Sequence, residues 1–138
     1  MAPLRELLDG MGMDLHTVSY RTLEALEIYC HKVASVVGLA CLPVLGAVGP
    51  DAERFAERLG RALQLTNILR DLQADAAIGR VYAPVDWLRE CRVDPVWLLG
   101  TGPSEAYVSA GPVAQLCARL AHAAKERFAE AAAALAAL

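Results

Sequence analysis

The sequence predicts an all-helical chain, and three of its features point there. Apolar residues recur every three or four positions almost everywhere, no run of four or more residues alternates like a half-buried strand, and the last segment is dominated by alanine. The 138 residues suffice for one compact core. Hydrophobic residues make up 56% of them, which excludes a disordered chain.

Met1 to about Leu15 reads as a short helix whose apolar pattern is interrupted by Arg5, Glu6, Asp9 and Asp14. Arg21 to about Leu45 reads as a long helix stopped by the turn from Gly46 to Pro50. Asp51 is expected to cap a third helix, with Glu53 in its first turn, that runs to about Ala77 and ends at Gly79. Pro84 opens a shorter element through Trp87 to Cys91, and Asp94-Pro95 caps a single turn before the break from Gly100 to Pro103. After Ser104 the chain is helical again, interrupted at Gly111-Pro112. Its end, from Val113 to Leu138, is so rich in Ala that it forms helix readily but specifies packing weakly.

Thirteen basic against sixteen acidic residues give no electrostatic footprint for DNA or RNA, so no nucleic-acid partner is expected. Cys30, Cys41, Cys91 and Cys117 form no CxxC pair, and no His stands at zinc-ligand spacing. Neither a zinc site nor a disulfide framework is therefore expected. Met1 to Leu15 also lacks the pattern of a secretory leader, and the expected location is a reducing cytoplasm. From Val33 to Pro50 eighteen residues pass without a charge, at the lower edge of a membrane-spanning length. Gly38, Pro43, Gly46 and Gly49 break that run, which favours a helix buried in protein over a span.

The third helix carries the most informative pattern. At 100° per residue, Gly60, Gln64, Asn67, Asp71 and Asp75 fall within an arc of about 80°. Phe55, Leu59, Leu63, Leu65, Leu69 and Leu72 spread over the apolar sector. Any amphipathic helix has a polar face, but a solvated one usually carries Lys, Arg and Glu. This stripe instead uses Asn and Asp, poor helix formers in a helix interior. Two carboxylates at i and i+4 repel each other, and a bound cation reverses that cost. With a side-chain amide oxygen one turn earlier they can present hard oxygen ligands to Mg²⁺, which typically takes one or two carboxylates and completes its shell with substrate phosphates. Arg70, Arg80 and Tyr82 gather at the same helix end and would suit a diphosphate, with guanidinium forks for its oxygens and a phenol as donor. An Arg after a helix-ending Gly is also a common partner of the helix dipole, so spacing alone leaves both readings open. On the second helix Tyr29, Val33, Val36 and Ala40 share a line, and Tyr29 taken alone reads as a core tyrosine. His16, His31 and His122 have no nucleophile or ligand partner nearby in sequence.

The stretch from Gly60 to Pro84, GRALQLTNILRDLQADAAIGRVYAP, closely resembles the second aspartate-rich region of the squalene and phytoene synthase family. Tyr29 to Gly38, YCHKVASVVG, is similar to that family's tyrosine-bearing helix, and Asp9 to Leu15, DGMGMDL, looks like the segment that precedes it. Together they cover about Leu4 to Leu88. Within the family the wording is most similar to bacterial presqualene diphosphate synthases of hopanoid pathways, with phytoene synthases second. The resemblance implies an isoprenoid synthase helical fold and a transferase that joins two prenyl diphosphates, farnesyl diphosphate in the first case, with Mg²⁺ as cofactor. It makes Asp71, Asp75 and Asn67 metal ligands, places Gln64, Asn67, Arg70, Arg80 and Tyr82 around the diphosphate, and puts Tyr29, with Asp71 and Asp75, among the catalytic residues. Peripheral membrane association fits such greasy substrates.

The sequence departs from the family pattern at Ala74, Lys32 and Ala83. A first aspartate-rich motif is expected upstream of the Tyr29 helix, and nothing before Asp9 supplies it. The resemblance therefore implies a single, truncated domain over residues 1–138, with metal ligands on one wall of its cavity and little turnover alone. A helical remnant that binds prenyl diphosphate weakly or not at all is the non-enzymatic alternative.

Overall fold

Seven α-helices and three tighter or looser helical turns carry the chain in the computed structural model, which describes residues 2–16 and 19–138. The helices are α1 (Ala2–Met13), α2 (Leu23–Cys30), α3 (Val36–Cys41), α4 (Pro50–Arg70), α5 (Leu72–Ala77), α6 (Val85–Glu90) and α7 (Pro112–Leu135). A π turn, His31–Ser35, joins α2 to α3, and 3-10 turns cover Pro95–Leu99 and Ser104–Tyr107. The expected all-α class holds among the described residues. Met1, the expected start of the first helix, lies outside them.

Long helices α4 and α7 pack on each other as the main pair. Leu65 and Ile68 of α4 meet Leu116, Leu120 and Ala124 of α7 in a core that also takes Leu26, Leu88 and Leu98. The alanine surface of α7 fixes its own register weakly, and a charged network supplies what it lacks. Arg127 donates from Nε to Glu27 Oε1 at 2.6 Å and from Nη1 to Glu130 Oε1 at 2.6 Å, and Glu130 also pairs with Arg58 of α4 at 3.0 Å. Arg127 is only 17% exposed, so this pairing is screened less than a surface one.

The second helix departs from the straight element expected over Arg21–Leu45. Thr22 caps α2 by accepting from the Ala25 N–H, and the π turn then shifts the helical register. At this turn Ser35 is wholly buried and donates to the Glu57 carbonyl at 2.8 Å. The close approach needs Gly60 on α4, because a Cβ there would lie 2.4 Å from Ser35 Cα. Gly60 thus belongs to the helix crossing and not to the open part of the polar stripe.

Two further expectations change. Asp51 does not cap the third helix. Gly49, at φ 106°, occupies the cap position and Pro50 the first turn, where proline's missing N–H costs nothing, while Asp51 pairs with Arg54. The uncharged stretch Val33–Pro50 is only half core: Ser35, Val36 and Leu42 are buried, but Val37, Val44, Leu45 and Val48 are exposed. Among the described residues no helix is long and apolar enough to cross a membrane. The apolar sector read for α4 is also displaced. Leu65 and Leu72 are buried, but Leu63 is 48% exposed, and the first half of the helix buries Ala52, Ala56 and Gly60 instead.

Candidate active site

Five stretches of chain converge on one polar cavity. The last turn of α2 brings Tyr29; α4 brings Gln64, Asn67, Ile68 and Arg70; the kink after it brings Asp71; α5 brings Asp75; and the following loop brings Tyr82. All of the site residues expected from sequence line this cavity except Arg80, which sits beside it. The volume is about 200 Å³, below the range of drug-sized pockets and suited to a compact polar group.

Local sequence explains the arrangement. Helix α4 ends at Asp71 with φ −98° and ψ 11°, yet the Asp71 N–H still reaches the Asn67 carbonyl at 2.9 Å and the Asp75 N–H reaches the Asp71 carbonyl at 2.8 Å. The kink therefore re-aims the polar stripe without breaking the chain of backbone bonds. Helix α5 stops because Gly79 adopts φ 78°, a conformation that costs glycine nothing, and the Arg80 N–H closes back on the Asp75 carbonyl at 2.9 Å. That closure turns Arg80 and Tyr82 toward Asp14, just past the end of α1.

The carboxylates differ in state. Arg70 donates to both oxygens of Asp71, at 2.8 and 2.6 Å, and holds that carboxyl below its usual pKa. Asp75 moves the other way: burial raises its pKa, and the nearby charge of Asp71 adds to the effect. Asn67 turns its amide nitrogen toward Gln64 Oε1, 3.5 Å away.

Asp14 is the residue that sequence reasoning missed. Its Oδ1 accepts from the Tyr82 hydroxyl at 2.8 Å and its Oδ2 from the Tyr29 hydroxyl at 3.1 Å, while its backbone carbonyl accepts from Arg80 Nη2 at 3.3 Å. Tyr20 completes an aromatic cluster, 5.5 Å from the Tyr29 ring centre and 6.3 Å from that of Tyr82; the latter two lie 5.2 Å apart. Backbone bonds from Val85 and Asp86 to the carbonyls of Tyr20 and Arg21 hold this strip in place. Burial raises the hydroxyl pKa of Tyr20, Tyr29 and Tyr82. In this structure the one hydrogen of Tyr82 is engaged by Asp14. The signal was present in the segment Asp9 to Leu15, which carries Asp14 one residue before its end.

The squalene/phytoene synthase family model matches residues 1–138, the whole chain. The chain belongs to the squalene/phytoene synthase family. This family member is 38% identical over 125 residues to the presqualene diphosphate synthase of Sinorhizobium fredii, covering 90% of the chain and 43% of that protein. It is 40% identical over 103 residues to the chloroplastic phytoene synthase of Daucus carota, covering 70% of the chain and 26% of that protein. Among solved structures it superposes on a dehydrosqualene synthase in complex with ligand at TM-score 0.80 and 31% identity, over 94% of this chain and 44% of that one. Squalene synthase HpnC from Alicyclobacillus acidocaldarius shares the fold at TM-score 0.85 and 23% identity, over 99% of this chain and 50% of that one. The helical architecture is thus the isoprenoid synthase fold, and the chain spans half or less of the length of each of these relatives.

The cavity's donor set fits a hard cation better than a soft one. Among the described residues no group of three His, Cys, Asp or Glu side chains gathers to form a metal cage. Two carboxylates and an amide oxygen are instead what Mg²⁺ uses when a phosphate completes its shell, and a half-buried carboxylate beside another is stabilised by such a charge.

Proposed function

We propose that this chain carries one diphosphate-binding wall of a prenyltransferase that joins two farnesyl diphosphates head to head into presqualene diphosphate, in squalene or hopanoid biosynthesis. The carrying observation is that Asp71 and Asp75 open onto the same small polar cavity as Gln64, Asn67 and two buried phenols. Asp71, Asp75 and the Asn67 amide oxygen would hold Mg²⁺, which supplies positive charge that stabilises a leaving diphosphate. Gln64 offers amide hydrogens to phosphate oxygens, and Arg70 and Arg80 bring guanidinium charge to the same end of the site. Tyr29 sets an aromatic ring at the cavity wall, where a π face favours developing positive charge. A cavity of this size takes the diphosphate and not the chain attached to it. An apolar groove of about 380 Å³ between α1 and α3, lined by Leu4, Leu7, Val36, Val37 and Ala40 among others, lies beyond the π turn that follows the Tyr29 helix and suits an isoprenoid tail. Such substrates fit a cytoplasmic protein that associates peripherally with membranes.

Phytoene synthesis from geranylgeranyl diphosphate is the second reading, supported by the identity to the carrot enzyme. Equilibrium dialysis of the chain against farnesyl and geranylgeranyl diphosphate, each with and without Mg²⁺, separates the two. Magnesium-dependent retention of farnesyl diphosphate over the longer compound is expected. Preference for the longer one favours phytoene synthesis, and retention indifferent to Mg²⁺ contradicts both.

A further inference from the structure

Asp14 touches Tyr29, Arg80 and Tyr82, the parts of the site that lie off α4, α5 and the kink between them. Its carboxylate accepts from the hydroxyls of Tyr29 and Tyr82, and its carbonyl accepts from Arg80. A phenol has one hydrogen. With both hydrogens aimed at Asp14, the two phenol oxygens can offer the cavity only lone pairs. The charges around the site are the carboxylates of Asp14, Asp71 and Asp75 against the guanidiniums of Arg70 and Arg80, and Arg70 is already closed on Asp71. A bare diphosphate entering there meets lone pairs and an excess of negative charge. A diphosphate that carries a hydrated divalent cation brings positive charge for the carboxylates and water hydrogens for the phenol oxygens.

We propose that Asp14 is a positioning residue that sets specificity: by holding both phenolic hydrogens, and a negative charge behind the cavity, it makes the site accept a diphosphate only as its divalent-metal complex. The inference rests on the diphosphate-binding reading above and adds the form in which the ligand enters. Asp14 itself contacts neither ion nor phosphate; it acts through Tyr29 and Tyr82. Asparagine at this position removes the charge, and its single acceptor oxygen can hold one phenol, which frees the other hydroxyl to donate to a phosphate oxygen.

Titration calorimetry with inorganic pyrophosphate, with and without MgCl₂, tests this on the full chain and on the variants Asp14→Asn and Asp14→Glu. The wild type should bind at least about tenfold more tightly with the metal. In D14N the metal-free affinity should rise, cutting that ratio to about threefold or less. D14E keeps the charge and both acceptor oxygens and should restore the wild-type ratio. A purely structural role would weaken binding equally in both conditions, so an unchanged ratio in D14N overturns the proposal. Pyrophosphate binding that fails in the wild type even with Mg²⁺ removes the diphosphate-binding reading, and the proposal with it. Should D14N lose its helical circular dichroism, Asp14→Ser carries the same expectation; unfolding of both variants makes Asp14 a folding residue and overturns the proposal.

Discussion

Arg70 closes on its own neighbour Asp71 at two points, Nε to Oδ1 at 2.8 Å and Nη2 to Oδ2 at 2.6 Å. The pair lies at the surface, with Arg70 67% and Asp71 39% exposed, so water and salt keep its strength small. A cation that takes Asp71 has only this modest contact to displace, and its displacement releases a guanidinium fork for a phosphate.

Replacing Arg70 with Gln should therefore separate two affinities. Binding of Mg²⁺ alone should tighten by about two- to fivefold, the worth of an exposed ion pair. Binding of pyrophosphate in the presence of Mg²⁺ should weaken, because the fork is gone. Calorimetric titration of each ligand reads both changes, and a parallel loss of the two affinities would place Arg70 outside the ion's competition for Asp71.

Gly60 and Gly12 should respond oppositely to alanine. A Cβ at Gly60 would meet the Ser35 backbone at 2.4 Å, whereas one at Gly12 meets nothing within 4 Å. Gly60→Ala must push α4 off the π turn and should cost about 1–3 kcal/mol in urea unfolding. Gly12→Ala, in α1, should be neutral or stabilising by up to about 1 kcal/mol.

The thiols should fall into two reactivity classes. Burial pushes the Cys30 thiol up to about 12, with the charge of Glu27 adding to it, whereas Cys41 is exposed. At pH 8 a disulfide reagent should modify Cys41 at least about 100-fold faster than Cys30, whose labelling should track unfolding. Equal rates would mean that α2 does not pack as described.

Alkaline pH should destabilise the fold through the tyrosine cluster. The unfolded chain gives up its phenolic protons near pH 10, the ordinary value, while burial makes the folded chain keep those of Tyr20, Tyr29 and Tyr82. The unfolded state then binds fewer protons, so stability is whole below about pH 10 and falls as pH rises further. Tyr29→Phe should make that fall shallower in urea midpoints measured from pH 9 to 11.

Periodicity made much of this legible. A stripe repeating at helical spacing puts Gln64, Asn67, Asp71 and Asp75 on one face, and the structure brings them around one cavity with Tyr29 and Tyr82. Asp14 stayed out of reach because its partners stand 15 and 68 residues away, separations that no local pattern records. The π turn at His31–Ser35 was equally invisible, since it arises from packing Ser35 against Gly60 and from no local breaker. Hydrophobicity also misplaced part of the buried face of α4. The helices meet there through Ala52, Ala56 and Gly60, which allow close approach, while the larger Leu63 is left outside.

The pair Asp71 and Asp75 can be tested most directly by titrating a non-hydrolysable farnesyl thiodiphosphate into the wild-type chain and into Asp71→Asn/Asp75→Asn, with and without Mg²⁺. The wild type should show magnesium-dependent binding that the double variant loses by at least about tenfold, with its helical circular dichroism unchanged. Binding that survives the double substitution with its magnesium dependence intact would contradict the assignment of these two carboxylates as the metal ligands of the site.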